Sequence, residues 1–243
     1  MPVLDALGVA IAVPDEVDDA LASLPSTARA AVATITERDP GLALTELTRL
    51  AVAHTTLLCI HAAVVRGPAG LIVIPGRSGL GKTTLTAALL RAGFEYVSDE
   101  ALAVDTATGC AMPFPRPLGL AADVWGLLGL TGEPPSPGAE RLVAPQVFGR
   151  VAESGGRVSH VVLAERGSEP LLLERTERTE AVAALLRRSF NHYRDPEGSL
   201  RTVLAVVRGA QIWRAQYQDA PQLAALIAAR LAPPAQPSDG RPQ

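Results

Sequence analysis

Gly76-Arg77-Ser78-Gly79-Leu80-Gly81-Lys82-Thr83 decides how the rest of this chain is read. It matches the spacing G-x-x-x-x-G-K-[ST], in which every fixed position has a physical reason. The glycines let backbone amides turn inward around phosphate oxygens, the lysine ammonium reaches the β and γ oxygens, and the hydroxyl ligates Mg²⁺. A helix running on from Thr83 brings the positive end of its dipole to the same point. With this chain's own frequencies of glycine, lysine, serine and threonine, the pattern arises by chance in roughly one such chain in a thousand. Its setting agrees, because the aliphatic run Leu71-Ile72-Val73-Ile74 leads into it as a strand and 83–92 follows it as a helix.

Of the 22 cationic side chains, Lys82 is the only lysine and the other 21 are arginines. A planar guanidinium fork does not fit a position made for a compact point charge, so an arginine-rich chain still keeps its one lysine in this loop. The remaining composition bounds the class. At 243 residues, 48% hydrophobic and 19% charged, the chain builds one substantial core, which excludes disorder over most of its length. A net charge of -3 with no basic patch leaves nothing to grip a duplex, so nucleic acid is not an expected partner. The mean hydropathy of +0.21 comes from scattered alanine. The most apolar stretch, 50–65, is broken by His54, Thr55, Thr56 and His61 and falls short of the ~20 residues of a spanning helix, so no membrane partner is expected. A start without a basic segment, with Asp5, Asp15 and Glu16, predicts a cytoplasmic location. Cys59 and Cys110 lack both disulfide and metal-ligand spacing and read as reduced thiols.

Along the chain, a strand is expected over 9–13, helical material over 15–24 and 27–38, and a core-facing helix over 45–59, from Leu47, Leu50, Ala51, Leu57 and Leu58. Strands follow over 61–65, 71–74 and 94–98, then a hairpin of 101–104 with 110–114. Alternating prolines make 113–120 extended, and 131–139 is a loop. Strands over 160–164, 171–174 and 211–217, with helices over 180–190 and 221–231, complete an α/β domain with a mixed sheet flanked by helices. The organisation expected is an N-terminal segment, 1–44, packing on a P-loop domain, 45–232, followed by a disordered Pro-rich tail, 233–243.

Phosphoryl transfer also needs a carboxylate for the metal and, in a kinase, a base for the acceptor hydroxyl. Asp99 and Glu100 end the strand after the loop helix, only 17 residues beyond Lys82, and a parallel course of that strand carries them beside the loop. His61 begins the strand before the loop strand, and on spacing alone it is an ordinary histidine. Arg116, between Pro115 and Pro117, is a cation on a stiff segment within reach of a phosphate, with a plain surface arginine as the other reading.

Taken together, Ile60-His61-Ala62-Ala63-Val64, the loop from Ile74 to Thr84, Tyr96-Val97-Ser98-Asp99-Glu100 and Pro113-Phe114-Pro115-Arg116-Pro117 resemble the catalytic domain of HPr kinase/phosphorylase. More closely, the chain is similar to compact HPr-kinase-related proteins, some of which modify ribosomally made peptides. The resemblance covers about 45–232 and is strongest over 60–120. It implies the P-loop variant fold shared with phosphoenolpyruvate carboxykinase and ATP-dependent phosphorylation of a serine hydroxyl on a small protein or peptide, with Mg²⁺. It further implies Asp99 as the base with His61 tuning it, Glu100 and Thr83 at the metal beside Lys82, and Gly76, Arg77, Ser78, Gly79, Leu80, Gly81, Lys82, Thr83, Thr84 and Arg116 at the nucleotide. The family's oligomers make self-association an expectation. Two departures stand out: Glu100 replaces a second aspartate, and a chain with one lysine has no other for a dephosphorylating loop. Two other functions fit the loop as well, a kinase acting on a small-molecule hydroxyl and a nucleotide-binding regulator that transfers nothing.

Overall fold

The computed structural model describes residues 1–77, 79 and 81–231, so Ser78, Leu80 and the tail expected over 233–243 lie outside the described residues. A hairpin of β1 (Val3–Ala6) and β2 (Val9–Ala12) leads to one helical turn, α1 (Asp15–Asp18), a short strand β3 (Ala33–Thr34) parallel to β2, and helix α2 (Pro40–His54). The main body continues with β4 (Leu58–Gly67), β5 (Gly70–Pro75), α3 (Lys82–Arg91), β6 (Glu95–Ser98), β7 (Ala101–Val104), β8 (Ala111–Met112), β9 (Leu118–Ala121) and β10 (Glu140–Val143). It ends with β11 (Val158–Arg166), β12 (Leu172–Arg175), α4 (Arg178–Arg187), α5 (Pro196–Gly209), β13 (Gln211–Tyr217) and α6 (Ala220–Arg230).

Eight strands form one mixed sheet in the order β12-β13-β11-β5-β4-β7-β8, with β6 also paired to β4. Strands β5, β11 and β13 run parallel, whereas β4 is antiparallel to β5 on one side and to β6 and β7 on the other. The alternation of side chains along β5 makes both faces apolar: Leu71 and Val73 join the core under α4 and α5, and Ile72 and Ile74 join the core under α3 and α6. In β11 the register shifts between Val158 and His160, which brings Val158 and Val161 into the same core although they are three residues apart. A third core holds the N-terminal hairpin and α2 against Cys59, Ala101, Ala103 and Phe114.

This topology carries the carboxylates to the loop. Ala62 lies opposite Pro75, the last residue of β5, while Val64 pairs with Ser98 and His61 with Ala101. Asp99 and Glu100 therefore occupy the break between β6 and β7, level with the end of β5, where Ala62 N donates to Glu100 O at 3.2 Å. β6 runs in the same direction as β5, as expected, with β4 inserted between them.

Three sequence expectations are corrected. Residues 27–38 form no helix; Val32 N donates to Ala10 O and Ile35 N to Ala12 O, because β-branched Val32, Thr34 and Ile35 gain more by extending against β2 than alanine gains in a helix. The helix expected over 45–59 is α2, begun by the Asp39 cap and Pro40, and Leu58 and Cys59 belong to β4. The helix expected over 15–24 is a single α-turn followed by a 3₁₀ turn over Asp19–Leu21. Helix α5 and the β9–β10 hairpin had no counterpart in the sequence reading.

The start of β4 is secured by the segment after α4. His61 N donates to Arg188 O at 2.8 Å and Phe190 N to Cys59 O at 2.9 Å. The buried Asn191 side chain then acts as a strand neighbour, its Oδ1 accepting from Cys59 N at 3.0 Å and its Nδ2 donating to Leu57 O at 2.9 Å. Asn191→Ala strands both backbone groups away from water. It is expected to lower the urea midpoint by the equivalent of about 1–3 kcal/mol at unchanged m-value.

Candidate active site

The loop between β5 and α3 turns on glycine. Gly79 and Gly81 have φ of 81° and 73°, the left-handed region that a β-carbon disfavours, and Gly81 is the residue from which α3 starts. The unpaired amides of the first helical turn thus open into the loop. Lys82 is 8% exposed, and its Nζ donates to the carbonyl of Arg77 at 2.9 Å, bridging the loop's two ends. Burial pulls this ammonium below its ordinary pKa, against Glu100 and Asp99, which hold it charged.

Asp99 is 3% exposed and surrounded by donors. Thr83 Oγ1 donates to its Oδ2 at 3.2 Å, Arg116 Nε lies 3.5 Å from Oδ1, and the hydroxyl of fully buried Tyr96 is 2.9 Å from Oδ1. That hydroxyl is equally 2.9 Å from the Arg116 carbonyl, so its single proton serves one acceptor at a time. Burial raises the pKa of Asp99, opposed chiefly by Arg116.

Glu100 faces a different pair. Its Oε1 is 3.4 Å from His61 Nδ1, and its Oε2 is 3.4 Å from Arg116 Nη1. Burial first, and then Lys82, Arg188 and Arg116, lower the pKa of His61 to about 4, so at neutral pH Glu100 meets a neutral imidazole. The Nε2 of His61 is buried with no partner among the described residues. Arg116 also donates to Thr48 Oγ1 at 3.0 Å, which anchors the proline segment on α2.

Lys82, Thr83, Thr84, Asp99, Glu100 and Arg116 line a cleft of about 340 Å³, closed on its far side by β9 and Glu140. His61, Gly79 and Gly81 line it too, whereas Gly76 and Arg77 do not and Ser78 and Leu80 lie outside the described residues; the pairings run crosswise to those the resemblance implies, with Thr83 meeting Asp99 and His61 meeting Glu100. Arg116 hydrogen-bonds Thr48 and lies at ion-pair distance from both carboxylates, its buried Nε having no hydrogen-bond partner among the described residues, and Arg77 contributes its carbonyl while its side chain is exposed. Sequence reasoning missed Tyr96 as a support for Asp99, Thr48 as a partner of Arg116, and Arg166 at the end of β11. A β-carbon on Gly81 would lie 3.7 Å from Arg166 Nη1. Nothing in the local sequence marks Arg166 or Thr48, since both act across the fold.

No group of three or more His, Cys, Asp or Glu side chains among the described residues is arranged to hold a metal ion. Mg²⁺ in phosphoryl transfer takes one or two carboxylates and completes its shell with water and phosphate oxygens, and the Thr83 hydroxyl beside Asp99 is a donor set of that kind. No helix among the described residues is long and apolar enough to cross a membrane.

No family model and no curated protein matches the chain. Among solved structures it is similar to the HPr(Ser) kinase/phosphatase from Coxiella burnetii, with 14% identity and a TM-score of 0.37, over 70% of this chain and 91% of that one. At that TM-score neither fold nor activity follows from the likeness, and the chemistry of the cleft rests on its own geometry.

The raised pKa of Asp99 has a signature in stability. Between the ordinary carboxylate value of 3.8 and the higher one in the fold, the folded state holds more protons than the unfolded one. Stability is therefore lost as pH rises through that window. Asp99→Asn is expected to raise the thermal midpoint at neutral pH, with the gain vanishing below pH 3.8, as melting curves taken from acid to neutral pH will show.

Proposed function

We propose that this chain is an ATP-dependent kinase that, with Mg²⁺, transfers the γ-phosphoryl group to a serine hydroxyl of a small protein or peptide. The observation that carries this reading is the carboxylate pair at the break between β6 and β7, beside the loop, with Asp99 bonded to the loop threonine and Glu100 next to it. A phosphate loop alone binds nucleotide, whereas two carboxylates in different surroundings divide the work of metal and proton. Lys82 exchanges the Arg77 carbonyl for phosphate oxygens, and the amides of Gly79 and Gly81 complete the cradle.

Mg²⁺ supplies the offset for charge developing on the transferred group. Thr83 and Asp99 would hold it, since the two are already hydrogen-bonded and Asp99 is the more deeply buried of the two carboxylates that line the cleft. Glu100 is 24% exposed and braced by His61 and Arg116, so it takes the acceptor's proton. The bond between acceptor oxygen and γ-phosphorus forms as the β–γ bridge breaks, the hydroxyl proton moves to Glu100, and ADP leaves. A second reading, with Asp99 as base and Glu100 at the metal, is favoured by the raised pKa of Asp99 and by the resemblance.

Transfer from γ-labelled ATP into serine peptides separates these readings. Lys82→Ala is expected to lose both nucleotide binding and transfer. Glu100→Gln is expected to lower kcat by about 10²–10⁴-fold at an unchanged Mg²⁺ requirement, with Asp99→Asn raising that requirement. The opposite pattern establishes Asp99 as the base. Transfer confined to small hydroxyl compounds identifies a metabolite kinase, and Lys82-dependent ATP binding without any transfer identifies a nucleotide-binding regulator.

A further inference from the structure

On the other side of the loop, the ends of β5 and β11, one side of α4 along its length and Arg214 of β13 line a second cleft of about 810 Å³. Its lining includes Arg77, Arg166, Arg187, Arg188 and Arg214 against the acids Glu165 and Glu180. Arg214 is committed, since its Nη2 donates to both oxygens of Glu180 at 2.8 Å. The other four arginines have no ion-pair partner among the described residues, and Glu165 alone remains to balance them. In a chain with a net charge of -3, this is a local excess of positive charge.

Arg188 shows that the excess is uncompensated. It is half-buried, its Nε is shielded from solvent with no hydrogen-bond partner, and burial together with Arg77 and Arg187 lowers its pKa. A partly desolvated guanidinium among like charges gains from an anion brought to it. The nucleotide does not account for this surface, because its phosphates are served by the loop amides, Lys82 and the start of α3. That helix belongs to the core on one face of the sheet, while α4 belongs to the core on the other. Yet the cleft is close to the chemistry: the Arg188 carbonyl accepts from His61 N at 2.8 Å, and Arg166 lines both clefts.

We infer that this arginine cleft holds an acidic segment of the peptide acceptor, with aspartate and glutamate carboxylates flanking the serine that is phosphorylated. The inference rests on the kinase reading for the serine and on the cleft for the acidic residues. The cleft has more than twice the volume of the carboxylate cleft, and its four arginines without an ion-pair partner among the described residues come from the loop after β5, from β11 and from the end of α4, which suits several carboxylates along a strand of peptide better than one small ion.

The test uses fluorescent serine peptides flanked by Asp and Glu, by Asn and Gln, or by Lys, titrated with the full chain at low and high salt. The acidic peptide is expected to bind about tenfold or more tighter than the amide version, with the advantage shrinking as salt rises. Arg187→Glu, an exposed change at the end of α4, is expected to abolish that preference, whereas Arg230→Glu, the same charge change at the exposed end of α6, whose core lies on the opposite face of the sheet, keeps it. Melting curves check that both variants fold. Equal binding of the three peptides, an undiminished preference in Arg187→Glu, or displacement of the acidic peptide by millimolar inorganic phosphate each overturns the inference, the last by identifying a free-anion site. Efficient phosphorylation of neutral peptides with indifference to acidic flanks overturns this inference alone. Tight acidic-peptide binding without any transfer instead overturns the kinase reading and leaves the cleft's specificity intact.

Discussion

A carboxylate removed from water must be compensated on every side, and Asp99 obtains its partners from widely separated parts of the chain. Thr83 comes from the start of α3 and Tyr96 from β6. Arg116 comes from the proline segment and carries the connection on to Thr48 of α2. Burying a charge is costly even where partners are found, and burial still raises the pKa of Asp99, so these partners offset the cost of its burial only in part. The N-terminal region, which contributes nothing to the loop itself, is in this way coupled to the site.

Strand β4 provides the other constraint. Ten residues allow it to pair with β5 along one edge and with β6 and then β7 along the other, and the change of partner leaves Asp99 and Glu100 facing the loop. Its first residues are matched by the segment after α4, which brings Arg188 alongside His61. One strand thus sets both the carboxylate pair and the edge of the arginine cleft.

The loop, its helix and the acidic pair were legible because their chemistry is local: glycines, one lysine and two consecutive acids within 25 residues, 76–100. The strands around them showed as aliphatic runs. Helix α5 escaped although Asp195 caps it and Pro196 opens it, the same signature that begins α2. Its buried positions Ser199, Thr202, Val203, Val206 and Val207 recur at three-and-four spacing, so the face was legible too, and it went unread because two of its five positions are hydroxyl residues rather than aliphatic ones. The extended course of 27–38 was hidden for a different reason, since alanine's helix preference there is overruled by pairing with β2, a strand the sequence does announce but whose partner it does not. The crosswise pairing of Asp99 with Thr83 and Glu100 with His61 depends on which way two adjacent side chains turn at a break between strands, and no spacing rule encodes that.

Arginine everywhere else leaves Lys82 as the single side-chain amine of the molecule, and that amine is folded against its own loop. Reagents and enzymes that acylate, cross-link or conjugate lysine meet just one side chain in this protein, and it is the one that nucleotide would cover. The chain's arginine bias therefore does more than set its charge. It makes this loop the sole lysine address for covalent marking, shielded while the Arg77 carbonyl holds the amine and, on the proposed kinase reading, shielded again when phosphate takes that carbonyl's place.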